Sequence, residues 1–466
     1  MIIFNFGAFF LVVRLYPKEE YGYWVLFLSA ITFLEMARNG LVQNGLIKFL
    51  TVAKNEEEEG KISTASLVLN GILTCLMVLS LIIMAKPLSV LWNAPVIINL
   101  FLIYIATTII VLFQVHINFV QNAHLNFSGP MVSNSIRSGI YFFLVLAVYF
   151  AVRQDKMELP PLEYLACFQI LGAIGGVIGT YLTGRKFLRF SKKIDWSWVQ
   201  KMFNYGKYVF GTNLGTMLYK STDKWMLGAL LPTPIAAASV ALYDVCIRIN
   251  NLLEVPTQSI AQVVFPQGAK TAAEGTKEEI KELYERAVGG ILALVIPGAL
   301  VILLFPSLIL RIIAGSEYLD AVNLLIITVF YALIFPFNNQ FGTILDSVGK
   351  PKINFYFVTC SAILNVILNI IFINKYGLMG AAYATLISYG ITFVVDQIIL
   401  NKMFGTKPWN ALAHIPKFYK MGFSLLAGYL KNLFNRLAGK KIEDNPAKTI
   451  NLQRETEDIT QQRKIN

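Results

Sequence analysis

Nine charged side chains lie inside stretches that are otherwise apolar, and their spacing marks where chemistry could be done. Glu35 and Arg38 stand three apart, so a helix would carry them on one face. Arg137 is isolated; Lys220, Asp223 and Lys224 form a short run, and Asp244 precedes Arg248 by one helical turn, with Glu254 beyond. Charges inside apolar spans are costly and are functional candidates by default. Arg38, Arg137, Lys220, Lys224 and Arg248 could hold an anionic ligand, because arginine clasps a phosphate with two parallel hydrogen bonds and lysine acts as a mobile point charge. Glu35, Asp223, Asp244 and Glu254 could tune that field, or take a proton or sodium ion. The competing reading is local neutralisation, as Glu35–Arg38, Lys220–Asp223 and Asp244–Arg248 pairs, with Arg137 reaching to the membrane surface.

Catalytic chemistry is expected to be absent. Cys75, Cys167, Cys246 and Cys360 each sit in a different apolar block and read as buried free thiols. His116, His124 and His414 do not cluster, so no metal-ligand spacing or nucleophile–base pair is visible, and no cofactor is expected.

The elements that must position these charges are membrane helices. Of 466 residues, 56% are hydrophobic and 15% charged, with a mean hydropathy of +0.58. The apolar residues come in blocks of about twenty, the length a helix needs to cross roughly 30 Å of hydrocarbon. The alternating pattern of a barrel strand is missing. Helices are expected near 2–15, 22–50, 62–85, 96–121, 129–152 and 162–183, then 205–231, 236–267, 287–310, 320–345, 354–374 and 379–401. The first is short for a full span, as if incomplete at this start or only dipping into the bilayer. The fold class is therefore all-α integral membrane with about twelve spans. Loops after even-numbered spans carry sixteen Lys and Arg, loops after odd-numbered spans seven, and the chain beyond Asn401 twelve more, which sets both termini in the cytoplasm. The net charge of +12 fits this bias and attraction to anionic membrane lipids better than a nucleic-acid partner. From His414 to Lys441 basic residues alternate with Phe418, Phe423, Leu426, Leu430 and Phe434, the pattern of a helix lying on the membrane; the last twenty-five or so residues are polar and read as disordered.

The two sets of six helices repeat one another. Glu35 lies 219 residues before Glu254, and Trp24 the same distance before Tyr243. Pro87-Leu88 matches Pro306-Ser307-Leu308, Asn99-Leu100 matches Asn323-Leu324, and Pro130 matches Pro351. An even number of helices per repeat makes the repeats parallel, with a substrate site between them near the midplane. The organisation is thus 1–184 and 205–402 as six-helix lobes, 185–204 as a basic cytoplasmic linker, and 403–466 as a basic tail.

Arg14-Leu15-Tyr16-Pro17 with Glu20-Tyr21-Gly22-Tyr23-Trp24 resembles the turn that ends helix 1 of bacterial polysaccharide flippases. Thr222-Asp223-Lys224-Trp225-Met226-Leu227-Gly228 resembles their helix 7, and 338–348 followed by Gly349-Lys350-Pro351 resembles the turn before their helix 11. The chain is similar, up to about Asn401, to the polysaccharide-transporter branch of the multidrug/oligosaccharidyl-lipid/polysaccharide exporter superfamily. That resemblance implies a MATE-like pair of V-shaped lobes. It also implies passage of undecaprenyl-pyrophosphate-linked oligosaccharide from the cytoplasmic to the outer leaflet of the bacterial inner membrane, for surface polysaccharide synthesis. No covalent chemistry would be involved, and polysaccharide polymerase and ligase would be partners. The alternative is a cation-coupled multidrug antiporter of the same fold. A membrane enzyme is disfavoured, because the outer loops are short and lack histidine. Gly172, Gly175, Gly176 and Gly179 read as close helix packing, and Tyr16, Tyr21, Tyr23 and Trp24 as an aromatic belt at the membrane edge.

Overall fold

The computed structural model describes residues 2–437, which form helices joined by short turns, with no strand among the described residues. In chain order these are α1 (Ile2–Leu15), α2 (Lys18–Thr51), α3 (Glu56–Leu91), α4 (Val96–Ala123), α5 (Ser128–Arg153), α6 (Glu163–Gly184), α7 (Trp196–Leu230), α8 (Ile235–Glu274), α9 (Lys277–Leu304), α10 (Pro306–Ile313), α11 (Val322–Ser347), α12 (Pro351–Tyr376), α13 (Leu378–Phe404) and α14 (Pro408–Leu437). Ten of them, α2 to α6, α8, α9 and α11 to α13, are long and apolar enough to cross a membrane. The other two expected spans are α1, only 14 residues long, and α7, whose length suffices but whose charges dilute its apolar run.

Two helices, α3 and α7, begin at a side-chain cap, while α10 and α12 open on a proline. The Asn55 side chain accepts the Glu58 backbone N–H at 2.9 Å, and four glutamates follow in the first turn of α3, at the positive end of its dipole. Asp195 accepts the Ser197 N–H at 3.0 Å to start α7, and the Ser197 hydroxyl hydrogen bond holds the Asp195 carboxyl below its ordinary pKa. Gly377, at φ +59°, makes the turn between α12 and α13 that a side chain would strain. These caps run α3 from Glu56 to Leu91 instead of 62–85, because hydropathy marks the apolar middle of a helix and not its solvated ends. The span expected at 287–310 is interrupted: α9 stops at Leu304 and α10 opens at Pro306, whose fixed φ and missing N–H suit a first helical turn.

Three further expectations are corrected or bounded. Only Cys246 is buried; Cys75, Cys167 and Cys360 lie on exposed helix faces, since in a membrane protein an apolar block also covers lipid-facing surface. Tyr16, Tyr21 and Trp24 are buried in the protein and do not form a belt; Trp24 packs on Phe27 with ring centroids 5.0 Å apart. The tail does form a helix, α14, but it starts six residues earlier, at Pro408, and the polar end beyond 437 lies outside the described residues.

The chain divides into two compact units. The first comprises 1–252, 301–331 and 350–392, the second 253–300, 332–349 and the chain from Phe393. In the first, small residues let helices meet closely. A Cβ on Gly206 of α7 would strike the Leu41 carbonyl of α2, and one on Gly22 of α2 would strike the Ala237 carbonyl of α8. The α6 glycines behave as expected: a Cβ on Gly172 would come within 2.8 Å of the Arg137 carbonyl oxygen and one on Gly176 within 2.7 Å of the Gln114 amide. Leu41, Leu46, Ile62, Leu69, Val120 and Met202 fill the core beside them.

Candidate functional site

Two charged corners form in the first unit. In one, Asp244 of α8 is fully enclosed and accepts from Lys224 Nζ of α7 and from Arg248 Nε, both at 2.6 Å, and from the Tyr21 hydroxyl of α2 at 2.7 Å. One acid thus faces two bases, leaving a net positive charge in a place where water is largely excluded. Arg248 keeps a third of its side chain exposed and lies over the Phe9 ring at 4.9 Å, so its remaining guanidinium edge is free of the acid.

The second corner is built from α2, α3, α4 and α5. Glu35 accepts the Tyr104 hydroxyl at 2.7 Å, while Arg38, buried to 3% exposure, reaches Thr74 at 3.3 Å. Arg38 Nε and Nη2 have no partner. Along the α3 face that carries Thr74, both amide atoms of Asn70 and the Ser66 hydroxyl are also buried and unpartnered, as is the Thr107 hydroxyl one turn on from Tyr104. Buried polar groups in folded proteins are overwhelmingly paired, so a buried guanidinium with two orphaned nitrogens, meeting a helix face that carries further orphaned polar atoms, suits a place that receives an anion or ordered water. Arg137 acts electrostatically on Arg38, and Tyr141, one turn further along α5, feels Arg248, so α5 borders both corners.

Asp223 of α7 is held differently. It accepts from Asn369 Nδ2 at 2.7 Å, from the Thr385 hydroxyl at 2.8 Å and from the Tyr243 hydroxyl, all uncharged donors from α12, α13 and α8. Asn365, one turn before Asn369, accepts from that same amide at 3.2 Å. The result is a buried carboxylate that accepts hydrogen bonds from uncharged amide and hydroxyl groups alone, with no charged donor on it.

Of the residues singled out from sequence, Arg38, Glu35 and Arg137 come together, as do Lys224, Asp244 and Arg248. Lys220 is exposed on α7, and Glu254 belongs to the second unit. Of the three ion pairs weighed, Asp244–Arg248 forms, Arg38 leaves Glu35 to Tyr104, and Asp223 is enclosed by neutral groups. Charge alone could not reveal Tyr21, Tyr104, Tyr243, Asn70, Asn365, Asn369 or Thr385. The recoverable signal was spacing: Ser63, Ser66, Asn70 and Thr74 recur every three or four residues, as do Asn365 and Asn369, each on one face of an apolar helix.

Ten long apolar helices with charges enclosed among them are the arrangement of a multi-pass membrane protein. The inward-facing structure of a multidrug resistance MATE family transporter of the MOP superfamily superposes with a TM-score of 0.75 at 14% identity, over 87% of this chain and 96% of that one. The lipid II flippase MurJ, in an inward closed conformation, gives 0.68 at 16% identity, over 92% and 91%. Among curated relatives, the probable low-salt glycan biosynthesis flippase Agl15 of Haloferax volcanii is 26% identical over 239 residues, 51% of this chain and 50% of that protein. The chain spans about half the length of the first curated relatives it matches. The polysaccharide biosynthesis protein family matches residues 11–323, more than half of the chain, and the chain belongs to that family.

Proposed function

We propose that the protein is a flippase for lipid-linked oligosaccharide, and that Arg38 and its unpartnered neighbours receive the phosphate of the lipid carrier. The observation that carries this reading is the buried guanidinium with two unpaired nitrogens, held to Thr74 on the face of α3 that also carries the unpaired amide of Asn70 one turn away. Arg248, Lys224 and Arg137 extend the positive field, and exposed Lys220 is a further contact for the headgroup. The substrate is undecaprenyl-pyrophosphate-linked oligosaccharide, moved from the cytoplasmic to the outer leaflet of a bacterial-type inner membrane and passed to polymerase and ligase machinery. The two six-helix lobes, 1–184 and 205–402, alternate access to the site, and both termini are cytoplasmic. Asp223, in its shell of neutral donors, takes the proton or sodium ion that drives the cycle, with Glu35, Asp244 and Glu254 shaping the field. The reading is supported by family membership and by the fold shared with MurJ.

Flipping of a fluorescent undecaprenyl-pyrophosphate oligosaccharide in proteoliposomes tests it. Arg38→Gln is expected to cut the rate about tenfold or more, since hydrogen bonds to a charged group contribute ~1.5–3 kcal/mol each. Asp223→Asn is expected to abolish stimulation by the ion gradient while leaving substrate binding intact. A wild type that is inert towards lipid-linked glycans but exports a cationic dye under an ion gradient would replace this reading with the multidrug antiporter.

A further inference from the structure

The second unit encloses an acid that none of the residues above accounts for. Asp396 of α13 is 0% exposed, and neither carboxylate oxygen has a hydrogen-bond partner. Gln397 beside it donates through Nε2 to the Tyr284 hydroxyl of α9 at 2.9 Å, while its Oε1 is also buried and unpartnered. Tyr284 is within electrostatic reach of Asp396. The next acid on α9, Glu285, is engaged elsewhere: its Oε1 accepts the Lys407 backbone N–H at 2.9 Å and the Asn410 amide at 3.0 Å, at the start of α14. From α11 the unit brings Phe337 against Phe393, rings 5.0 Å apart. Among the described residues no cation lies against Asp396.

We propose that Asp396 is a proton-binding site, occupied in this conformation, that releases its proton to water when α9 and α13 loosen during the cycle. An ionised carboxylate with no donor, no counter-charge and no water access is far costlier than its neutral acid. A metal ion fits poorly, because the unfilled oxygens come from two adjacent residues and hard cations take about six. Position supplies the exit: Asp396 lies eight residues before the end of α13, and Tyr284 seven after the start of α9, so both are near one end of their helices. Release breaks only the carboxyl O–H bond, the proton passing to water.

The test is infrared spectroscopy of the full chain in lipid at neutral pH, read at the carboxylic-acid C=O stretch. A component of that band is expected in wild type that is lost in Asp396→Asn and retained in Asp223→Asn, with the melting temperatures of Asp396→Asn and wild type alike. A band that Asp396→Asn leaves unchanged in amplitude, or a missing band in wild type, overturns the proposal. A marked loss of thermal stability in Asp396→Asn also overturns it, because that result signals an ionised, paired carboxylate. None of these readouts depends on flipping, so the flippase reading can fail independently. Where flipping is observed, Asp396→Asn is expected to flatten its pH profile.

Discussion

The two charged corners of the first unit have the same inventory and opposite states. Each places two basic side chains against one acid, Lys224 and Arg248 with Asp244 in one, Arg38 and Arg137 with Glu35 in the other. At Asp244 each charge is answered at short range, and Tyr21 adds a fourth group to the network. At Arg38 the acid goes to a tyrosine, the guanidinium uses one of its five N–H groups, and Asn70 uses none of its hydrogen-bonding capacity. A buried unsatisfied donor costs ~1–3 kcal/mol, so the Arg38 corner carries a standing cost that the Asp244 corner does not. The difference separates a structural brace from a place kept open for something to bind.

The sharpest way to break that comparison is to remove the acid that holds the brace. Asp244→Ala leaves Lys224 and Arg248 as like charges without their carboxylate. Breaking a buried pair usually costs ~3–5 kcal/mol, and the lower end, about 3 kcal/mol, applies here because a third of Arg248 is exposed to screening. Thermal or denaturant unfolding in detergent would read it. If Asp244→Ala unfolds at the wild-type midpoint, the corner is not a brace.

The second prediction runs in the opposite direction. Asn70→Leu replaces a buried amide, satisfied at neither end, with an apolar group of similar volume. It is expected to stabilise the protein by roughly 1–3 kcal/mol while lowering transport, the same change improving the fold and damaging the site. If Asn70→Leu destabilises, the amide has a partner in the working protein, and the corner is less open than its geometry indicates.

These differences decide what was legible in the sequence. Apolar block length disclosed the spans because backbone hydrogen bonding in lipid leaves helices as the solution, and the charges inside those spans drew attention to Arg38 and Asp244. The sequence could not show which charge would be answered. Asp244 finds Lys224 across twenty residues, a pairing that depends on how α7 and α8 cross, while Glu35, three residues from Arg38, takes Tyr104 from another helix. Asp396 was available to the same rule that selected the other acids, since it lies inside the expected span 379–401, and its isolation from any base made it easy to pass over. The Asp223 shell was hidden for a different reason: Asn365, Asn369 and Thr385 are uncharged and acquire meaning only when α12 and α13 bring them to α7.

The finest distinction lies in the hydroxyl that each corner borrows from a tyrosine. Tyr21→Phe removes one of three donors from Asp244 and leaves both cations in place, so the loss is expected to be about 1 kcal/mol, that of a single hydrogen bond. Tyr104→Phe removes the hydroxyl that holds Glu35 away from Arg38. The freed carboxylate can then turn to the unpaired Arg38 nitrogens and recover the lost energy, so its unfolding midpoint should move less than that of Tyr21→Phe. Transport should respond in the reverse order, because an Arg38 neutralised by Glu35 no longer presents its charge to a phosphate. Measured side by side, stability falling more in Tyr21→Phe and flipping falling more in Tyr104→Phe would fix the division of labour between the corners; the opposite ordering would reverse it.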